Sequence, residues 1–209
     1  MIEQGSPEWF AARVGRVTAS RVSDVVAKTR TGWGASRANY MAQLIAERLT
    51  GAPAKRFTSA EMQWGTETEP EARAAYQFET ATLVSAMGFV PHPSIALAGA
   101  SPDGAIGDSG LLELKCPNTA THINTLLGGA IPHEYICQMQ WQMACTGRRW
   151  CDFASYDPRM PEHMRLLVQR VQRDDAHISD LERNVVEFLA ELEDKLAKLN
   201  AKYPLAETA

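Results

Sequence analysis

The sequence predicts an α/β fold with a central mixed sheet flanked by helices on both faces. Three observations support this: helical periodicity in the first eighty residues, a run of short apolar segments punctuated by Gly, Pro and Ser in the middle, and helix-strand alternation closing on a long amphipathic segment. The 209 residues, 45% hydrophobic and 22% charged, suffice for a single well-cored domain over 1–209.

In order, Ser6 and Pro7 read as N-cap and first position of a short helix that presents Arg13 near its end. A second helix is expected from Thr18–Ser20 through Val22, Val25 and Val26, followed by a basic, glycine-containing loop over Thr29–Gly34. Ser36–Leu49 carries apolar residues at Tyr40, Met41, Leu44, Ile45 and Leu49, a helical period closed by Gly51. Thr58-Ser59-Ala60-Glu61 resembles a capping box opening another helix, with Pro70 starting or kinking its continuation through Phe78. Leu83–Val90, Ile95–Ala98, Asp103–Ile106 and Leu111–Lys115 read as successive strands. Thr119–Leu127 and Pro132–Cys145 follow as helices, Trp150–Tyr156 and Met164–Val171 as strands, and Asp174–Leu199 as a long helix, with fraying after Tyr203.

No apolar run is long enough to span a bilayer and the N-terminus lacks a signal peptide's pattern, so the expected location is cytoplasmic, with no membrane partner. Cys116, Cys137, Cys145 and Cys151 form no CxxC pair and read as reduced, partly buried thiols. The net charge of −4 is unevenly spread. Residues 1–60 hold nine Lys/Arg against four Asp/Glu, and residues 61–115 hold two against eight. A basic arm for phosphates beside an acidic pocket for cations suits a nuclease.

The acidic stretch contains the chemistry. Asp103 stands ten positions ahead of Glu113, and Gly104, Gly107, Asp108, Ser109 and Gly110 between them supply turn residues. Neighbouring strands would converge the two carboxylates, with Glu113 and Lys115 on one face and Leu114 pointing into the core. Mg²⁺ takes oxygen ligands of this kind, and the Leu114 carbonyl is a further candidate. Lys115 would orient or help deprotonate an attacking water. Glu67, Glu69 and Glu71 each offer a third carboxylate, and spacing does not choose among them. Arg13 with Thr18 and Ser20 forms a candidate anion site. Tyr135, Gln138 and Gln142 share one helix face. Trp9 and Trp64 read as core anchors.

Taken together, Trp9-Phe10-Ala11-Ala12-Arg13-Val14-Gly15, Thr18-Ala19-Ser20, Trp64-Gly65 with Glu69, Ser101-Pro102-Asp103-Gly104, Leu112-Glu113-Leu114-Lys115-Cys116-Pro117 and Tyr156-Asp157-Pro158-Arg159-Met160 resemble the phage lambda exonuclease family. These are the YqaJ-type viral recombinases, within the PD-(D/E)xK nucleases. The resemblance implies a restriction-endonuclease-like PD-(D/E)xK core and an exonuclease that degrades one strand of linear double-stranded DNA from its 5′ end, releasing 5′-mononucleotides and leaving a 3′ single strand. It implies that Asp103, Glu113, the Leu114 carbonyl and Glu69 hold Mg²⁺, as two ions, with Mn²⁺ able to substitute. Lys115 would serve the nucleophilic water, and Gln138 would stand beside the active site with Tyr135 near it. Arg13, Ser20 and Ser101, with Thr18 close by, would hold the terminal 5′-phosphate. Met62 matches an apolar wedge between the strands and Arg30 a loop arginine on downstream duplex. The same resemblance implies a ring-shaped homotrimer and a single-strand annealing protein as partner. Arg21 stands where the lambda pattern has an acid, so local phosphate contacts differ. The competing readings are a structure-selective endonuclease of the same superfamily, an iron–sulfur relative using the four cysteines, and a catalytically silent DNA-binding module.

Overall fold

The computed structural model describes residues 3–54 and 59–204; Thr58 of the expected capping box and most of the tail expected to fray, from residue 205 onward, lie outside them. The chain runs α1 (Pro7–Arg13), β1 (Val17–Thr18), α2 (Val22–Val25), β2 (Lys28–Thr29), β3 (Gly32–Trp33), α3 (Ala35–Thr50) and α4 (Ala60–Thr80). It continues with β4 (Val84–Ser85), β5 (Val90–Pro91), β6 (Ala98–Ala100), β7 (Gly104–Ile106) and β8 (Gly110–Lys115). The last part is α5 (Thr119–Leu126), α6 (His133–Thr146), β9 (Trp150–Tyr156), β10 (Leu166–Gln172) and α7 (Asp175–Lys202).

A five-stranded sheet in the order β10-β9-β8-β7-β4 carries the acidic motifs. Its one parallel pair, β8 with β9, makes it mixed as expected. Side chains alternate across it and bury both faces. On one, Leu112, Leu114, Ala154 and Tyr156 pack against Ala72 and Tyr76 of α4. On the other, Leu111, Cys151 and Phe153 meet Met139 and Met143 of α6 and Ile178 of α7. A third cluster joins α2, α3, α6 and α7 around Trp141, Tyr40 and Phe188.

Three expectations change. The strand expected over Ile95–Ala98 begins only at Ala98 and runs to Ala100 as β6, after a turn at Ala96–Leu97. The apolar run over Leu83–Val90 is not one strand: Val84–Ser85 pairs with β7, whereas Val90–Pro91 pairs with β6 in a separate sheet ordered β1-β6-β5. Gly88 interrupts the run, and Pro91, which has no amide hydrogen for a ladder, sits on an edge strand. The helix expected from Thr18 to Val26 shrinks to α2 and a preceding 3-10 turn, Ala19–Arg21. Its valines are weak helix formers, and Val17–Thr18 instead pairs in parallel with Ala98–Gly99. The basic loop after it is the β2–β3 hairpin.

The caps follow the sequence closely. Ser6 accepts a hydrogen bond from the Trp9 amide at 3.2 Å, Ser59 accepts one from Met62, and Gly51 ends α3 in the left-handed region at φ 66°. Pro70 lies inside an unbroken α4.

Asp152 ties α4 to the sheet. Almost fully buried, it accepts from Tyr76 Oη at 2.7 Å and from Arg170 Nε and Nη2 at 2.8 and 2.9 Å. Burial, then the bond to Asp152, pushes the Tyr76 phenol above its usual range. Asp152→Ala leaves that hydroxyl without its acceptor and is expected to cost about 1–3 kcal/mol. Scanning calorimetry should show a lower unfolding temperature; an unchanged one would remove Asp152 as a structural tie.

Candidate active site

Asp103 ends the loop into β7, and pairing of Gly104 with Leu112 sets it beside β8. Its Oδ2 accepts from the Leu114 amide at 2.7 Å, which locks the carboxylate against the strand that carries Glu113 and Lys115. Glu113 is fully buried. Its Oε1 accepts from Lys115 Nζ and from Gln138 Nε2, the latter at 2.6 Å, and its Oε2 accepts from Gln142 Nε2 at 2.6 Å. The shared face of α6 expected from the sequence is therefore turned onto this carboxylate. Lys115 also lies over the Tyr135 ring, 4.7 Å from its centroid, and Tyr135 stacks on Phe153.

These charges perturb one another strongly. Burial, then the nearby Glu113, raises the Asp103 carboxyl well above the usual carboxylate range. Burial alone would lower Lys115, but Glu113 and Asp103 outweigh it and hold the ammonium above the ordinary lysine value. Burial, with Glu69 and Asp103 adding to it, pushes the Cys116 thiol to about 12.

The structure separates the three candidate glutamates on α4. Glu67 is exposed and accepts from Gln63, and Glu71, also exposed, accepts from Tyr156 Oη at 2.8 Å. Glu69 is half-buried and lines a cleft of about 1210 Å³ together with Asp103, Arg73, Trp9, Phe10 and Met62.

Asp103, Glu113 and Glu69 with the Leu114 carbonyl form an all-oxygen set suited to a hard divalent cation. Burial first, and then the charges of Glu113 and Glu69, raise the Asp103 carboxyl, and a bound cation would offset both. Among the described residues, no three His, Cys, Asp or Glu side chains already stand placed around one ion. All four cysteines are free thiols, three of them buried. The Glu113 carboxylate accepts three hydrogen bonds, two at Oε1 from Lys115 and Gln138 and one at Oε2 from Gln142, which leaves one acceptor position at Oε2 for an ion.

The candidate phosphate site adjoins. Arg13 Nη1 donates to Ser101 Oγ at 2.9 Å, and Trp9 Nε1 donates to the same oxygen at 3.0 Å. The Arg13 guanidinium lies 4.1 Å from the Trp9 ring centroid. Trp9 is thus a half-buried member of this site rather than the core anchor expected. Trp64 is likewise only half-buried, with Arg159 over its ring. Thr18 is buried, donates its amide to Tyr40 Oη at 3.1 Å, and lines a small cavity with Arg13. Ser20 is exposed in the following 3-10 turn. Arg21 is engaged by Asp24 and Gln43. Met62 is 52% exposed on the first turn of α4 and faces the cleft, whereas Arg30, exposed in the β2–β3 turn, is not among its lining residues.

One residue of the cleft carried no signal in any motif. Arg73 donates through Nη2 to the Asp103 carbonyl at 2.6 Å and lies 3.4 Å from Glu69 Oε1.

Comparison with known proteins agrees with this architecture. The chain is 55% identical to an alkaline exonuclease from Laribacter hongkongensis, LHK-Exo, with a TM-score of 0.88 over 94% of this chain and 97% of that one. The same enzyme in complex with dAMP gives a TM-score of 0.89 with the same identity and coverage. A phage related exonuclease from Haemophilus somnus 129PT, at 12% identity, shares the fold alone, with a TM-score of 0.70 over 88% of this chain and 96% of that one. The fold is that of the PD-(D/E)xK proteins, as expected. The model of the YqaJ-like viral recombinase domain matches residues 8–149, which hold every site residue named above from Arg13 to Gln142, and the chain belongs to that family.

Proposed function

We propose that this protein is a divalent-metal-dependent exonuclease that digests linear double-stranded DNA from a phosphorylated 5′ end, releases 5′-mononucleotides and leaves a 3′ single-stranded tail. The observation that carries the reading is the bond from Arg13 to Ser101, two residues ahead of Asp103. An anion gripped by Arg13 is thereby held at a set distance from the carboxylates, so the terminal phosphate selects which bond is cut. The 55% identity to an alkaline exonuclease supports the activity class.

Asp103, Glu113, Glu69 and the Leu114 carbonyl would hold Mg²⁺, as two ions, or Mn²⁺ in its place. Bound there, such ions polarise the scissile phosphate, acidify a water and neutralise the leaving oxygen. The chain's own groups do the rest. Lys115, held between Glu113 and the Tyr135 ring, keeps a positive charge beside the reacting phosphate and orients the attacking water. Gln138, at the oxygen that Lys115 also reaches, and Gln142, at the other, fix the Glu113 carboxylate. By the family resemblance, Met62, exposed at the cleft, would insert between the strands, and Arg30, exposed on its hairpin, would touch duplex ahead of the site.

The family resemblance extends the reading to a ring-shaped homotrimer and a single-strand annealing partner, and the sequence pattern to a cytoplasmic location. Exposed Phe78, Leu83 and Leu127 offer apolar surface for association. None of the described helices is long and apolar enough to cross a membrane.

The test compares linear and covalently closed circular duplex, with and without 5′-phosphate, in Mg²⁺ and after chelation. Linear phosphorylated duplex should be digested fastest, circles spared, and chelation should stop cleavage until Mg²⁺ or Mn²⁺ is restored. Circles cut at a rate comparable to linear DNA would identify an endonuclease instead, and cleavage that survives chelation would remove the metal.

A further inference from the structure

The segment 61–115 contains eight acidic residues and only two basic ones, Arg73 and Lys115. Both basic side chains reach the carboxylates of the candidate metal site. Lys115 belongs to the motif that announces the site. Arg73 does not, yet its guanidinium touches two of the proposed ligand residues at once, and they come from different parts of the fold.

The geometry is specific. Arg73 lies one helical turn after Glu69 on α4, so the pair shares a helix face. Nη2 donates to the Asp103 carbonyl at 2.6 Å, while Glu69 Oε1 is 3.4 Å away. The Asp103 carboxylate is separately held by the Leu114 amide. Asp103 is therefore fixed at its backbone by the helix and at its side chain by the neighbouring strand. Gly104 leaves the room: a Cβ there would run into Val84 and come within 3.2 Å of Arg73 Nη1. The Arg73 side chain is 27% exposed and lines the cleft, so solvent and ions reach it.

We infer that Arg73 is a positioning residue that sets the separation between Glu69 on the helix and Asp103 on the sheet, and through it the affinity for the divalent ion. The inference rests on the metal-dependent reading above. Both contacts are made by Nη2, whose two N–H groups lie in the guanidinium plane and so fix the directions of the two acceptors relative to each other. Partners of this kind, which hold metal-binding groups without touching the metal, typically change metal affinity or activity by about 10–100-fold when removed.

The experiment is Mn²⁺ titration by calorimetry, without DNA, on the wild-type protein, Arg73→Gln and Arg73→Lys, alongside thermal unfolding and steady-state cleavage. Arg73→Gln should weaken Mn²⁺ binding about 10–100-fold. Its kcat should fall while KM for phosphorylated linear duplex stays near wild type. Arg73→Lys should recover part of the loss, because an ammonium supplies donors for the Asp103 carbonyl and Glu69 but, rotating freely on a shorter reach, does not fix their relative directions. A purely structural arginine would lower the unfolding temperature and leave the Mn²⁺ isotherm in place. Wild-type-like Mn²⁺ binding by Arg73→Gln therefore overturns the inference while leaving the metal-dependent reading intact. Absence of Mn²⁺ binding by the wild-type protein overturns both. If Arg73→Gln does not fold, Arg73→Lys decides, with undiminished Mn²⁺ affinity counting against the role.

Discussion

Glu113→Gln is expected to lower cleavage of linear phosphorylated duplex by about 10³-fold or more, the scale seen when groups that stabilise transition-state charge are removed. The change preserves shape and removes charge. Glu113 is the one carboxylate in the site with no solvent exposure, and both of its oxygens accept hydrogen bonds: one from Lys115 and Gln138, the other from Gln142. A glutamine there keeps one acceptor and turns a donor toward groups that are themselves donors. The cost to folding is about 1–3 kcal/mol, partly offset because Asp103 no longer faces a second buried charge. Binding of a DNA end, followed by fluorescence anisotropy without metal, separates the two effects: it should persist while turnover disappears. Turnover close to wild type would place the chemistry elsewhere in the molecule.

Arg13→Ala should reduce the advantage of phosphorylated over dephosphorylated ends to near unity. Hydrogen bonds to charged groups contribute about 1.5–3 kcal/mol, which corresponds to a loss of about 10–100-fold in kcat/KM on phosphorylated ends. Cleavage of dephosphorylated ends should change little, because Asp103 and Glu113 are held by β8 and α6, and Trp9 still ties α1 to Ser101 when Arg13 is removed. The comparison is therefore a ratio taken within each variant. A preserved ratio would show that Ser101 and Trp9 grip the phosphate without Arg13, or that the anchor lies elsewhere.

How far the site could be read in advance depends on the length scale of each contact. Asp103, Glu113 and Lys115 were legible because a strand has a period of two and the glycines between them imply a reversal, so local rules sufficed. Gln138 and Gln142 were half legible: helical spacing put them on one face, but only the packing of α6 on the sheet turned that face onto Glu113. Glu69 was indistinguishable by spacing from Glu67 and Glu71, since the choice depends on how α4 lies across the sheet. Trp9 was misread because a large aromatic side chain usually marks a core, and here its indole N–H is committed to Ser101. The parallel pairing of Val17–Thr18 with Ala98–Gly99 spans eighty residues, and no local pattern announces such a contact. Arg73 was hidden in plain sight, since an arginine four residues after a glutamate on a helix ordinarily signals a surface pair worth little.

The helix that bears Arg13 contains no buried residue, whereas the strand that bears Glu113 is buried along most of its length and paired on both sides. On the proposed reading, the half that would grip the phosphate rests on a helix outside the core, and the half that would cut is part of the core itself. Substitutions in α1 can retune which ends are accepted without endangering the fold, while the cutting residues share their strand with the core and tolerate little. Selection acting on such a molecule has far more freedom to change what it holds than what it does.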